Sequence, residues 1–369
     1  MAYRHGIDRV ELADPYLAGK RVGLITNHTG VNSNFERTVD VLHRRYQLVK
    51  IFAPEHGLDG VRQAGAQVDN VVDEVAGLPV LSMYKKGSTM DLDGVDVIAY
   101  DIQDVGVRFY TYISVLSIAM RECAKRNVPV VVFDRYNPLG LDRVSGTLLD
   151  EKFSSFVGMY PIPSQYGLTV GEYALYTNRE HEIGCTLHVI PCQDLKRSDN
   201  YYTLRQPWIN PSPNIPTFDS AVSYVGTVVF EGTNLSVGRG TTKPFEFIGA
   251  PFIDGNHLAS VMNAKKLAGV YFRPIRFVPS FSKNKDLCCG GVQLHVTDYD
   301  AFDSFYSGLI LLDTVRKTYA EARLTPALVR LLGTDEILAE DFDADAFAER
   351  HRLKIAKFTK RATKYYLYD

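Results

Sequence analysis

Val95-Asp96-Val97-Ile98-Ala99-Tyr100, a helical pattern from about Thr111 to Arg126, and then Val128 to Phe133 form the stretch whose reading decides the fold. Two short β-branched runs joined by an amphipathic helix have the rhythm of a βαβ unit. The strands are nearly continuous in apolar residues, which suits a parallel sheet covered on both faces, because each crossover returns the chain over the sheet. Toward the N-terminus the alternation continues, with Arg21 to Thr26 as a strand, Phe35 to Arg45 as a helix and Leu48 to Ala53 as the next strand. After Phe133 the turn residues Asn137-Pro138-Leu139-Gly140 break the pattern, and a boundary is expected between there and Glu151. Beyond it come a helix opening near Thr169, a Pro-rich stretch from Pro207 to Pro216, strands near Ser223 to Phe230 and Gly291 to Val296, and a long helix from about Phe302 to Arg323. The expected class is α/β, a Rossmann-like parallel-sheet domain over residues 1–145 followed by an α+β domain over 146–369. No internal repeat is visible, which argues against solenoids and propellers.

A chain of 369 residues has room for one large α/β unit or two domains. Its 46% hydrophobic and 23% charged residues are globular values and exclude a disordered or fibrous protein. With 41 Lys+Arg against 43 Asp+Glu, the formal net charge of -2 offers no field to a polyanion, so nucleic acid is not an expected partner. The apolar runs fall far short of the ~20 residues of a membrane helix, so no membrane insertion is expected. Met1 to Val10 lacks the apolar stretch of a secretory signal. That reads as cytoplasmic for the chain as written, and as periplasmic or secreted if a leader has been removed. Five Cys without C-x-x-C spacing disfavour both structural zinc and a disulfide framework. Nothing in the sequence fixes an oligomeric state.

In an open parallel sheet, ligands bind beyond the carboxyl ends of the strands. Three polar segments fall there: Thr26-Asn27-His28-Thr29-Gly30, Pro54-Glu55-His56-Gly57, and Asp101-Ile102-Gln103-Asp104-Val105-Gly106-Val107-Arg108. A helix start would explain Pro54-Glu55, with Pro at the first position and Glu complementing the dipole. Gly57, Gly60 and Gly65 break any helix that would follow, so a carboxylate held in a long loop and suited to proton transfer is the preferred reading of Glu55. In the third segment Arg108 can read a ligand carboxylate while Asp101 or Asp104 binds hydroxyls, with Tyr110 and Tyr112 as stacking surfaces. A structural ion pair pinning the loop explains the same residues. Thr169 to Glu172 has capping-box spacing, which accounts for both residues without catalysis. The segment from Phe230 to Thr242, which includes Glu231, Thr233, Asn234 and Arg239, is a polar, glycine-bearing loop of the kind that binds ligands. It does not satisfy the Walker pattern, and the first strand lacks G-x-G-x-x-G, so neither a nucleotide nor NAD is implied. His181 and Glu182 have no second His at ligand spacing; no metal site and no cofactor are expected.

Taken together, Gly23-Leu24-Ile25-Thr26-Asn27, Ala53 to Gly57, Tyr100 to Gly106, Pro211-Ser212-Pro213-Asn214 and Phe230 to Thr242 resemble the NamZ family of exo-β-N-acetylmuramidases, from about Lys20 to the end of the chain. The resemblance implies an exo-acting glycosidase that releases N-acetylmuramic acid from the non-reducing end of peptidoglycan fragments, with its site in the cleft between the two subdomains. It also implies Glu55 as the leading catalytic residue and Glu172, of the Gly-Glu motif, as the second carboxylate. The chain departs from the family at Tyr166-Gly167-Leu168-Thr169, where His-Gly-Met-Thr is usual, and at Asp134-Arg135-Tyr136-Asn137-Pro138, where Asp-Arg-Pro-Asn-Pro is usual. Tyr166 is therefore expected among the substrate contacts.

Breaking a glycosidic bond near neutral pH needs a protonated acid beside the leaving oxygen, and Glu55 is chosen for it. The second carboxylate can act as base, as nucleophile, or by steering the sugar's acetamido group. Muramic acid carries a lactyl carboxylate, for which Arg108 or Arg239 is the expected partner, while Asn234, Thr233 and Asn214 offer hydrogen bonds. The expected partner is a small saccharide or peptidoglycan fragment. A non-catalytic sugar-binding or sensing protein on the same fold is the alternative.

Overall fold

A computed structural model describes residues 3–63, 65–66, 69–83 and 90–369. The first part of the chain supplies β1 (Arg21–Thr26), β2 (Gln47–Ala53), β3 (Val71–Val72), β4 (Pro79–Ser82), β5 (Val97–Asp101), β6 (Val130–Phe133), β7 (Val144–Ser145), β8 (Gln165–Tyr166) and β9 (Leu187–Ile190). Seven of these form one sheet in the order β3-β4-β2-β1-β5-β6-β9, parallel throughout except for the short edge strand β3; β7 and β8 pair only with each other. Its last strand, β9, lies beyond the boundary expected between residues 137 and 151, because the crossover from β6 is long enough to hold both the β7-β8 pair and a helix.

Both faces of this sheet are buried, which is why its strands read as continuous apolar runs. Ile98, Tyr100, Val130 and Val132 point into one core with Ile25 and Phe52, under α3 (Tyr112–Lys125) and α4 (Val170–Glu180). Val97, Ala99, Val131 and Phe133 point into the other with Leu24 and Ile51, under α1 (Asp14–Leu17) and α2 (Thr38–Arg45). The period-two alternation of side chains thus divides each strand between two cores.

The rest of the chain holds α5 (Tyr201–Leu204), α6 (Phe218–Thr227), and an antiparallel sheet ordered β10 (Phe247–Ala250), β12 (Cys289–Val296), β11 (Val270–Phe277). Around it lie α7 (Gly255–Ala264), α8 (Ser304–Thr318), α9 (Ala327–Leu332) and α10 (Ala344–Ala362). The strand expected at Ser223 to Phe230 is instead the second half of α6 and the 3-10 turn Val228–Gly232. Two features override the β-branched composition there. Thr217 caps the helix by accepting from Ser220 N, and α6 crosses α8 at facing glycines, where a Cβ on Gly226 would lie 1.9 Å from the Ser304 carbonyl oxygen. Such a close crossing needs helical backbone on both sides. Among the described residues, no helix is long and apolar enough to cross a membrane.

The strand order reverses between β1 and β5, the place where sheets of this kind usually bind ligands. Here the protein fills that place itself. Arg135, just past β6, donates through Nε and Nη2 to the two oxygens of Asp101 at 2.5 and 2.8 Å and through Nη2 to the Val31 carbonyl at 2.7 Å. Thr38, the first residue of α2, donates to the same carboxylate. Asn27 is turned onto Thr29, accepting from its N–H at 2.9 Å and its hydroxyl at 2.6 Å, and Gln103 donates to the carbonyls of Asp104 and Tyr136. Asp104 accepts from Tyr166 Oη and, at 2.7 Å, from Gly106 N.

Arg135→Ala leaves the buried Asp101 carboxylate without its cation, and unfolding in urea is expected to show a loss of about 3–5 kcal/mol. Asp104 gives a pH signature. Burial pushes its carboxyl up to about 6, so the stability it lends to the folded state is complete below its ordinary value of 3.8 and is lost as pH rises through about 6. Asp104→Asn can keep an oxygen toward Tyr166 and Gly106 but does not titrate. The stability of the wild type relative to this variant is expected to fall by about 2–3 kcal/mol between about pH 4 and about pH 7.5, read from urea midpoints across that range.

Candidate active site

A cavity of about 460 Å³ opens between the two halves, beyond the ends of β2 and β5, within the size range of small-molecule sites. Glu55 reaches it from the loop after β2. Pro54 to Gly57 is a tight turn, closed by Gly57 N–H donating to the Pro54 carbonyl at 3.1 Å, with His56 at φ 76° and Gly57 at φ 79°. This is no helix start. A left-handed His56 costs about 1–2 kcal/mol, so the surrounding contacts must hold it. The ring supplies one, since Nδ1 lies 2.6 Å from the Arg62 carbonyl, which can only accept; that nitrogen therefore carries the proton. Burial lowers the His56 pKa, keeping the imidazole neutral near pH 7.

Both oxygens of Glu55 are held. Thr111 Oγ1 donates to one at 2.7 Å and Gly65 N to the other at 2.9 Å, and the residue is only 7% exposed. Opposite stand Glu231 and Arg239, paired at 2.9 Å, with the Arg239 guanidinium 5.0 Å from the centre of the Phe245 ring. Tyr110, Tyr224 and Phe245 pack edge to face along the wall, with Tyr224 6.1 Å from Tyr110 and 4.5 Å from Phe245. Asn214 enters on the Pro-rich loop and donates to Gln63 Oε1 at 2.8 Å. His28 Nε2 anchors that loop at the Asn210 carbonyl and Tyr112 Oη at the Pro211 carbonyl.

The last wall is α9, which presents Ala327, Arg330 and Leu331. It is fixed from two sides. Thr325 N–H donates to the Gly232 carbonyl at 2.8 Å, and a Cβ on Gly232 would lie 2.5 Å from Leu328 Cα, so α9 rests directly on the segment carrying Glu231. At its other end Arg108 donates to the carbonyls of Leu331 and Leu332 at 2.8 and 2.9 Å, and to those of Thr147 and Ile162 at 2.7 and 2.9 Å.

Of the residues expected at the site, the cavity brings together Glu55, His56, Tyr110, Asn214, Glu231 and Arg239. It does not include Glu172. That carboxylate caps α4 through Thr169 N, accepts Leu367 N at 2.8 Å and pairs with Arg197 at 2.9 Å, so it anchors the C-terminal tail. Burial pushes its carboxyl up to about 7 against the opposing pull of Arg197. Arg108 likewise does not line the cavity: its two terminal nitrogens donate to backbone carbonyls and the residue is only 1% exposed. Asn27, Asp101, Gln103, Asp104 and Tyr166 belong to the filled switch point rather than the cavity. Thr233 closes its own turn through the Phe230 carbonyl and Leu235 N, and Asn234 binds the backbone of Glu321 and Arg323. The reading from sequence missed Thr111, Tyr224 and Arg330. Thr111 carried a faint signal as the residue before a helix; Tyr224 and Arg330 carried none, because one sits in a misread strand and the other on a short helix without a motif.

Residues 22–219 match the family described as Exo-beta-N-acetylmuramidase NamZ, N-terminal, and residues 222–368 match its C-terminal counterpart. The chain is 45% identical over 310 residues to the peptidoglycan beta-N-acetylmuramidase NamZ of Bacillus subtilis (strain 168), covering 83% of this chain and 75% of that protein. Two crystal structures of DUF1343 family proteins from Bacteroides fragilis NCTC 9343 share the fold. One has a TM-score of 0.91 at 33% identity, with 100% of both chains covered; the other has 0.82 at 31%, with 100% of this chain and 99% of that one covered. With both halves matched and a cavity that gathers carboxylates between them, the chain belongs to the exo-β-N-acetylmuramidase NamZ family and is a glycosidase.

Proposed function

We propose that this protein removes N-acetylmuramic acid from the non-reducing end of peptidoglycan fragments, with Glu55 as the general acid. The observation that carries this reading is the pair of carboxylates on the cavity wall, Glu55 and Glu231, brought there from opposite halves of the molecule. The activity named for the Bacillus relative, a peptidoglycan beta-N-acetylmuramidase, supports the substrate class. Glycoside hydrolysis commonly uses two such groups, one protonating the leaving oxygen while the other stabilises or attacks the positive charge that develops on the sugar.

Glu55 suits the first role because Thr111 and Gly65 fix its orientation and the apolar ring wall shields it from bulk water. Glu231 replaces Glu172 as the second carboxylate, since Glu172 is fully buried away from the cavity that Glu55 and Glu231 line. Arg239 orients Glu231. The sugar ring stacks on the aromatic wall of Tyr110, Tyr224 and Phe245, and Asn214 and the unprotonated Nε2 of His56 meet its hydroxyl and acetamido groups.

Glu55→Gln tests the acid. On a disaccharide fragment, whose leaving group is a sugar hydroxyl, turnover is expected to drop by about 10²–10⁴-fold. With a nitrophenyl muramide the drop should be much smaller, because that leaving group departs without a proton. Near-normal cleavage of the disaccharide by a folded variant would remove Glu55 from the role, and tight binding without cleavage by the wild type would make the protein a sugar sensor instead.

A further inference from the structure

Two guanidinium groups line the cavity, and they differ in one respect. Arg239 is paired with Glu231, whereas Arg330 meets no carboxylate among the described residues. Its place on α9, one turn after Ala327, puts it on the helix wall that lines the cavity with Ala327 and Leu331, and its side chain is exposed. The helix cannot easily turn away, because Arg108 grips its last carbonyls and Leu328 sits against Gly232.

Muramic acid differs from glucosamine by a lactyl ether on O3 that ends in a carboxylate. Inside a cavity that already holds Glu55 and Glu231, a third carboxylate is repelled unless a cation receives it, and with Arg239 engaged that cation is Arg330. We infer that Arg330 binds the lactyl carboxylate and thereby selects muramic acid over N-acetylglucosamine. This rests on the reading of the protein as a muramidase. The planar guanidinium can take both carboxylate oxygens at once, which an ammonium cannot, so lysine is a partial replacement only.

The test is a cycle between protein and substrate. Wild type, Arg330→Ala and Arg330→Lys are assayed on a nitrophenyl β-N-acetylmuramide, on the same glycoside with its lactyl acid converted to the amide, and on the N-acetylglucosaminide. Arg330→Ala is expected to raise KM for the acid by about ten- to hundredfold while kcat changes little, and to leave the amide and the glucosaminide unchanged. Arg330→Lys should recover part of the loss. Equal losses on acid and amide, or no loss on either, would overturn the assignment of Arg330. A wild type that cleaves none of the three glycosides overturns the muramidase reading instead, so the two failures are distinct. Unchanged melting of the variants, expected for an exposed side chain, confirms that the readout is local.

Discussion

The cavity depends on a buried guanidinium that meets no carboxylate among the described residues. Arg108 donates to four backbone carbonyls, two in the crossover segment between β7 and β8 and two at the end of α9. Burial pushes its pKa down to about 9, which still leaves the cation intact at neutral pH. A carboxylate would pin one point, whereas a planar fork of N–H donors can gather several strands of backbone. Carbonyls at a helix C-terminus are suitable partners, because they are the ones the helix leaves unpaired. The result is a helix, α9, held at a fixed distance from the loop that precedes α3, and between them lies the space for a ligand.

A second constraint moves that space away from the usual position. The point where strand order reverses is occupied by the Asp101 and Arg135 pair, with the Thr38 hydroxyl and the Val31 carbonyl completing its hydrogen bonds. Since these contacts take up most of the sheet's natural crevice, the groups that line the larger cavity come from its neighbours: Glu55 from the end of β2 and Thr111 from the start of α3. The strained turn at His56 brings Glu55 across this short distance. Strain is tolerated there because the loop is stitched to the Pro-rich segment, through Asn214 to Gln63.

The rigid parts of the site therefore share supports. The segment carrying Glu231 and α9 are in direct contact through Gly232, so the backbones that carry Glu231 and Arg330 keep a fixed relation. That is the kind of preorganisation on which catalysis by charge stabilisation relies.

The sequence alone determined the parallel sheet, because strands buried on both faces must be apolar at every position and the helices between them must be amphipathic. It also placed Glu55 at the rim, since a carboxylate between Pro and His-Gly in a glycine-broken loop has little structural use. The ordered motifs carried the family. What only the tertiary structure decided was the use of polar residues in those motifs. Asp101, Asp104, Arg108 and Glu172 look like ligand-binding groups in sequence, yet each finds its partner far along the chain, in Arg135, Tyr166, Leu331 and Arg197. Arg330 shows the converse, for it is an ordinary surface residue until the fold brings it to the cavity that Glu55 and Glu231 line. A buried polar side chain is structural or functional according to whether the protein itself satisfies it, and that balance is struck by contacts between segments that the local sequence does not encode.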